Sequence, residues 1–243
     1  MTLLLFLLIF CTSFVTAQSS IDTDYKTWKP TQCKDNITSY LGTVKVKNAT
    51  PTKVKMTIDV TPQDFIEAVT NFDKYHVWIL YCTKSSIVKT INENECYAYY
   101  YISTPMASDR DVYVHSTVFK KSATSYEVII ADVPHYKAEN KDVVRIPHFY
   151  SHYFVSVDNN GKTQVTHINE TALGGSLPAF LLDWSNHSQP FNTMKTLRKC
   201  IINKNLKKHQ PWLRHCGCYN SPFLLSACTE KLQKPNRCTQ TKV

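Results

Sequence analysis

Between Ser39 and Leu173 the chain alternates apolar and polar residues with a period of two, in short runs broken by turn residues. SYLGTVKVKN (39–48), TKVKMTIDV (52–60), KSSIVKTI (84–91), CYAYYYIST (96–104) and SYEVIIADV (125–133) are rich in Val, Ile, Thr and Tyr. Such runs are half-buried strands, and their close spacing makes neighbours antiparallel hairpins. PMASDRDVYVHSTVFK (105–120), VVRIPHFYSHYFVSV (143–157) and KTQVTHINETAL (162–173) continue the series, the last two joined by the turn Asp158-Asn159-Asn160-Gly161. Helical spacing enters only twice. TPQDFIEAVTNFDKY (61–75) opens with Thr61 as N-cap and Pro62 at the first helical position, and spaces Phe65, Ile66, Val69 and Phe72 along one face. GGSLPAFLLDWSNHSQPFNTMKTLRKCIINKNLKKH (174–209) begins at Ser176 and Pro178 and carries a broken stripe of Phe180, Leu181, Trp184, Met194 and Leu197, with Pro190 predicting a kink. No βαβ rhythm or internal repeat is present, and five glycines in all exclude Gly-rich phosphate loops. The expected fold class is α+β: a curved antiparallel sheet wrapped around a long C-terminal helix, enclosing a hydrophobic cavity.

The ends differ from this body. Leu3 to Val15 is an apolar run followed by Val15-Thr16-Ala17, which predicts a secretory signal over residues 1–17; an uncleaved anchor is the alternative, because the run has no charged residue before it. The expected mature domain is then 18–203, with a basic extension at 204–243 and a secreted or lumenal location. Of nine cysteines, Cys11 falls in the leader and eight remain: Cys33, Cys82, Cys96, Cys200, Cys216, Cys218, Cys228 and Cys238. An even number suits a disulfide framework. Three precede residue 100 and five follow from Cys200, so complete pairing requires at least one bridge between body and tail. Asn36, Asn48, Asn169 and Asn186 stand in glycosylation sequons. From Lys195 onward there are 11 Lys and Arg against one acid, Glu230, so this stretch carries +10 and residues 1–194 carry −1 of the net +9. A basic tail suits an anionic membrane surface or a sulfated glycan, or serves only as a soluble cap.

Three motifs in order resemble the START lipid-transfer domains of the helix-grip fold, in the Bet v 1-like superfamily. PMASDRDVYV is similar to that family's strand opening, VPHYKAENKDVVRI to its loop before a Val-Arg strand, and LGGSLPAFLLDW running to TMKTLRKCI to its closing helix. The resemblance spans about residues 40–203. It implies a nine-stranded sheet and one lipid, phospholipid or sterol, held in the interior. It also implies that Arg110 stands where phospholipid-binding members meet the lipid phosphate. The sequence departs from the family in residues 20–38, too short and polar for its longer N-terminal helix.

If Arg110 faces inward, alternation places Val112, Val114, Ser116 and Val118 on the same wall. A guanidinium at the end of an apolar wall must be satisfied by an acid, by water or by a ligand head group, or else Arg110 only fixes the turn through Asp109 or backbone. Arg145 is the second candidate internal charge, or an outward strand residue. Tyr97, Tyr99 and Tyr101 share one face and either grip a ligand or pack. Leu177, Phe180, Leu181 and Trp184, with Pro134, His135 and Tyr136, are the expected mouth, opening at an anionic membrane that receives their apolar chains. No enzyme activity, cofactor, metal or nucleic-acid partner is expected. HExxH and a nucleophile elbow are absent, and His148 and His152 lie roughly 13 Å apart along a strand. HCGC (215–218) suits disulfides better than zinc in an exported chain. The alternative to a lipid carrier is a cationic secreted interaction protein that binds through its Cys-rich tail.

Overall fold

The computed structural model describes residues 27–43 and 47–209, with 205–209 as backbone only. The leader and the four tail cysteines lie outside them. In chain order the elements are β1 (Trp28–Lys34), β2 (Ile37–Gly42), β3 (Thr52–Ile58), α1 (Pro62–Thr70), a 3-10 turn (Phe72–Lys74), α2 (Tyr75–Trp78), β4 (Cys82–Asn92), β5 (Glu95–Ile102), β6 (Arg110–Lys120), β7 (Ser125–Asp132), β8 (Val144–Arg145), β9 (His148–Val157), β10 (Thr163–Ala172), α3 (Ala179–His187) and α4 (Gln189–His209).

Nine strands form one antiparallel sheet in the order β1-β2-β3-β10-β9-β7-β6-β5-β4, while the two-residue β8 pairs in parallel with the start of β6. The pairing of β3 with β10, from Ile58 opposite Thr163 to Thr52 opposite Asn169, joins the first part of the sheet to its last strand. The α+β architecture read from the periodicity is therefore present: a large curved antiparallel sheet with C-terminal helices. Where the sequence suggested one strand over 143–157, Pro147 interrupts it. Proline has no N–H to give the ladder, and the chain passes from β8 to β9 at that point. The strand read over 39–48 begins earlier and ends at Gly42 as β2, and β1, its partner in a hairpin, lay unread in a polar segment. The turn residues of that hairpin, Asp35 and Asn36, have φ of 54° and 57°, the left-handed conformation that tight hairpins need and that Asp and Asn tolerate.

Side chains of the concave face meet the helices. Phe191, Met194, Leu197 and Ile201 of α4 recur at intervals of three and four and are buried, packing with Phe65 and Val69 of α1 and the inner residues of β2, β3, β6 and β10. Each such side chain removed from water contributes about 1.5 to 3 kcal/mol. Thr61 caps α1, its hydroxyl accepting from the Asp64 N–H at 3.1 Å. The closing helix divides after His187, with Pro190 the second residue of α4. Arg198, buried on α4, donates to the Asp35 carbonyl and so ties the long helix to the β1–β2 turn. At the far edge of the sheet, β4 pairs with β5 through three register shifts, and the Asp73 carboxylate accepts the Ile87 N–H at 3.2 Å.

The approach to α3 is a backbone constraint. Gly174 and Gly175 both have positive φ, 66° and 61°, and a Cβ on Gly174 would stand 2.9 Å from the Pro147 ring. Gly174→Ala combines a left-handed backbone with that clash and is expected to cost about 1 to 3 kcal/mol, read as a lower denaturant midpoint.

Candidate functional site

The charged tripeptide at the head of β6 distributes its three side chains to three different loops. Asp109 accepts the Tyr101 O–H at 2.5 Å and the Thr104 N–H at 3.1 Å, closing the loop between β5 and β6. Arg110, 1% exposed, donates through Nη1 to the Ser108 carbonyl and through Nη2 to the carbonyls of Gly174 and Ser176, each at 3.3 Å. Asp111 faces the other side of the sheet and takes a two-pronged ion pair from Arg145, Nε to Oδ1 at 2.7 Å and Nη2 to Oδ2 at 3.1 Å. Arg145 then donates to the carbonyls of Pro134 and Lys137, and its guanidinium lies over the Tyr113 ring. Its bond to Asp111 raises the Arg145 pKa, whereas burial lowers that of Arg110.

Beneath α3 lies a cavity of about 170 Å³. Tyr75 and Trp78 of α2, Tyr100 of β5, Phe149, Ser151 and Tyr153 of β9, and His167 and Asn169 of β10 build its wall; Leu80, Tyr81, Thr104 and Pro105 line it from loops, and Leu181, Trp184 and Gln189 from the helices. Tyr153 stacks on His167 at 4.1 Å, and the ring of Tyr75 lies 4.8 Å from Trp78 and 5.6 Å from Tyr100. The His167 Nε2 hydrogen-bonds the Ser151 hydroxyl at 2.8 Å. Burial, reinforced by His152, pushes the His167 pKa down to about 3, so the ring is neutral. Burial also raises the Tyr75 and Tyr100 phenols well above their usual range.

Of the residues proposed for the site, Leu181 and Trp184 do line this cavity. Leu177 is half-buried and Phe180 is 56% exposed, neither on the wall. Arg110 shares the concave face with Val112, Val114, Ser116 and Val118, but the wall omits all five. Val112 and Val114 belong to the packed core, and Ser116 and Val118 line a separate open cleft of about 440 Å³ between α1 and the far ends of β4 to β7. Arg145 points away from the cavity into its ion pair. Tyr97, Tyr99 and Tyr101 face the convex side, where Tyr97 and Tyr113 meet the Tyr136 ring; Tyr136 and the Pro134 carbonyl thus serve that side. Leu80, Tyr81, Thr104 and Pro105, which the sequence reading did not single out, line the cavity beside Leu181 and Trp184. Tyr100 was legible through register: it stands opposite Val112, and opposed residues share a face.

Of the modification candidates, the structure bears against Asn169 among the sequons and shows Cys82, Cys96 and Cys200 without a disulfide partner among the described residues. Asn169 lies within β10, lines the cavity and donates to the Tyr150 carbonyl at 3.3 Å, which disfavours a glycan there; Asn36 and Asn48 are exposed at turns, and Asn186 is half-buried at the cavity. Among the described residues Cys82, Cys96 and Cys200 are free thiols, whereas Cys33 is not free. Cys82 stands opposite Ile102 at one end of the β4–β5 hairpin and Cys96 opposite Thr90 at the other. Roughly 20 Å of strand separates them, beyond any disulfide span.

Comparison with known proteins supplies a family. The model of the START domain matches residues 16–207. An uncharacterised protein of Pseudomonas aeruginosa is 28% identical over 180 residues, 70% of this chain and 85% of its own. In fold, the chain is similar to a STAR-related lipid transfer protein fragment from Xanthomonas axonopodis (TM-score 0.64, 24% identity, 72% of this chain and 98% of that one). It is similar also to human STARD10 (TM-score 0.67, 18% identity, 80% and 84%).

Removing one partner of a buried ion pair leaves the other charge uncompensated, so Asp111→Ala is expected to cost about 3 to 5 kcal/mol in denaturant unfolding. His167 gives a pH signature. Its folded pKa lies below the unfolded value near 6.5, so the unfolded chain binds the extra proton between about pH 6.5 and 3, and stability falls as pH is lowered through that window. Relative to wild type, His167→Gln should lose this acid sensitivity, up to about 1.4 kcal/mol per pH unit, in unfolding curves taken at successive pH values.

Proposed function

The chain belongs to the START family of lipid-binding and lipid-transfer domains, and from that premise we propose that it is a secreted or lumenal carrier. It holds one lipid beneath α3 and exchanges it at a membrane surface, without covalent chemistry. The observation that carries the reading is the state of α3. This helix contains Phe180, Leu181, Leu182 and Trp184, yet none of its residues is buried. A helix so composed that contributes nothing to the packed interior is a cover rather than a core element. The cavity supports the same view. At about 170 Å³ it is smaller than ordinary ligand pockets of roughly 300 to 1,000 Å³, so loading a lipid moves α3 outward.

A membrane supplies what water cannot to the opened state. Leu80 and Tyr81 on the cavity wall are 50% and 40% exposed, Met106 beside wall residue Pro105 is 81% exposed, and Phe180 and Leu182 flank wall residue Leu181. These side chains form an apolar rim suited to the acyl boundary of a bilayer. The basic stretch from Lys195 onward provides electrostatic attraction to anionic lipid. The apolar run Leu3 to Val15 supports the secretory route. Binding rather than turnover is supported by His167, which is bonded to Ser151 and too weak a base at neutral pH to move protons efficiently.

Transfer of radiolabelled lipid between vesicles tests the proposal. Transfer should be faster with phosphatidylserine-containing vesicles than with phosphatidylcholine alone, and should slow as salt rises; Met106→Asp combined with Phe180→Asp should slow it further while secondary structure is unchanged. Rates indifferent to vesicle charge, salt and these substitutions would reject membrane exchange through this rim.

A further inference from the structure

We propose that the part of the ligand enclosed by the cavity is uncharged and presents a hydroxyl or carbonyl oxygen to the Trp78 Nε1–H and the Tyr100 O–H. The inference rests on the lipid-carrier reading and narrows it from lipids in general to neutral lipids.

The first argument is charge. Among the described residues that line the cavity, none is Asp, Glu, Lys or Arg. Neither Arg110 nor Arg145 is on the wall: the two Nη groups of Arg110 go to the Ser108, Gly174 and Ser176 carbonyls while its buried Nε has no partner among the described residues, and Arg145 goes to Asp111. His167 is neutral and shares its Nε2 with Ser151. A phosphate or carboxylate enclosed here would lose its hydration and meet no opposite charge, the costliest way to bury a polar group.

The second argument is the unmet hydrogen-bonding demand. Trp78 and Tyr100 are 5% and 2% exposed, both line the cavity, and the Trp78 Nε1 and Tyr100 hydroxyl have no hydrogen-bond partner among the described residues. They flank one ring, Tyr75, whose own hydroxyl donates to the Val69 carbonyl at 2.6 Å. On the β9–β10 side the polar groups are already matched: Ser151 with His167, and the Asn169 amide with the Tyr150 carbonyl. The demand at the Trp78 and Tyr100 end is therefore for an acceptor. An indole N–H can only donate, and burial keeps the Tyr100 phenol protonated, so an ether, hydroxyl or carbonyl oxygen meets both.

The test loads the purified full chain from phosphatidylcholine vesicles that contain cholesterol, dioleoylglycerol and oleic acid, then quantifies the recovered lipid by extraction and mass spectrometry. Cholesterol or dioleoylglycerol should be enriched over phosphatidylcholine and oleate relative to the vesicle composition. At limiting lipid, Tyr100→Phe should lower neutral-lipid occupancy roughly two- to tenfold, the loss of one hydrogen bond. Its thermal midpoint should not fall, because the hydroxyl removed makes no bond within the protein. Preferential loading of phosphatidylcholine or oleate, or Tyr100→Phe loading like wild type, would overturn the inference and leave the carrier reading intact. Recovery of no lipid from any vesicle would overturn both.

Discussion

A charge placed inside a protein must be met there, and this requirement at the head of β6 organises the molecule. Asp109, Arg110 and Asp111 are consecutive, so strand geometry sends the outer two to the side opposite the middle one. Each consequently recruits different backbone. Asp109 folds the β5–β6 loop over the cavity mouth, Arg110 gathers the Gly174–Ser176 approach to α3, and Asp111 holds Arg145 and with it the loop at 134–137. Val144 and Ile146 add backbone bonds to the Asp109 and Asp111 carbonyls, each at 2.9 Å, which makes β8 an extension of the same knot. Loosening this knot would disturb the cavity rim and the helix that covers it together, although none of the three charges touches the cavity.

That arrangement separates strength from access. The strongly bonded charges stand around the site, while the wall itself is aromatic and neutral. Ridges of Tyr75, Trp78, Tyr100 and Phe149 fill much of the space, and the remaining volume is modest. Above them α3 is held with little burial, whereas the next helix, α4, anchors itself through Phe191, Met194, Leu197 and Ile201. The division at Ser188 and Pro190 marks the boundary between a helix with no buried residue and one that is part of the core.

The architecture was legible because it depends on local patterns. Period-two runs gave most strands, Thr61 and Pro62 the start of α1, and Pro190 the break in the closing helix. The three ordered motifs led to the correct family. The site was less legible because it depends on parity and on partners distant in sequence. On β5 the more numerous aromatics, Tyr97, Tyr99 and Tyr101, lie on the convex face, and only register with Val112 brings Tyr100 inward. Arg110 was read either as facing inward or as fixing its turn through backbone; it lies on the concave face and does donate to the nearby Ser108 carbonyl, but its other two acceptors are carbonyls more than sixty residues away, which no spacing reveals. Trp78, on a four-residue helix, gave no periodic signal. Cysteine parity left the connectivity open, and with the four tail cysteines outside the described residues only a bridge between Cys82 and Cys96 is excluded, by the length of their hairpin.

The open edge of the sheet has a different consequence. An eleven-residue outer strand with exposed Ile87, Val88 and Ile91 would ordinarily be a template on which further chains assemble into aggregates. On β4 the three bulges break the even ladder that an incoming strand must match, Lys84 and Lys89 place charge along it, and Asp73 occupies the Ile87 amide. The same irregularities make this strand a poor match for edge-to-edge pairing with a second copy.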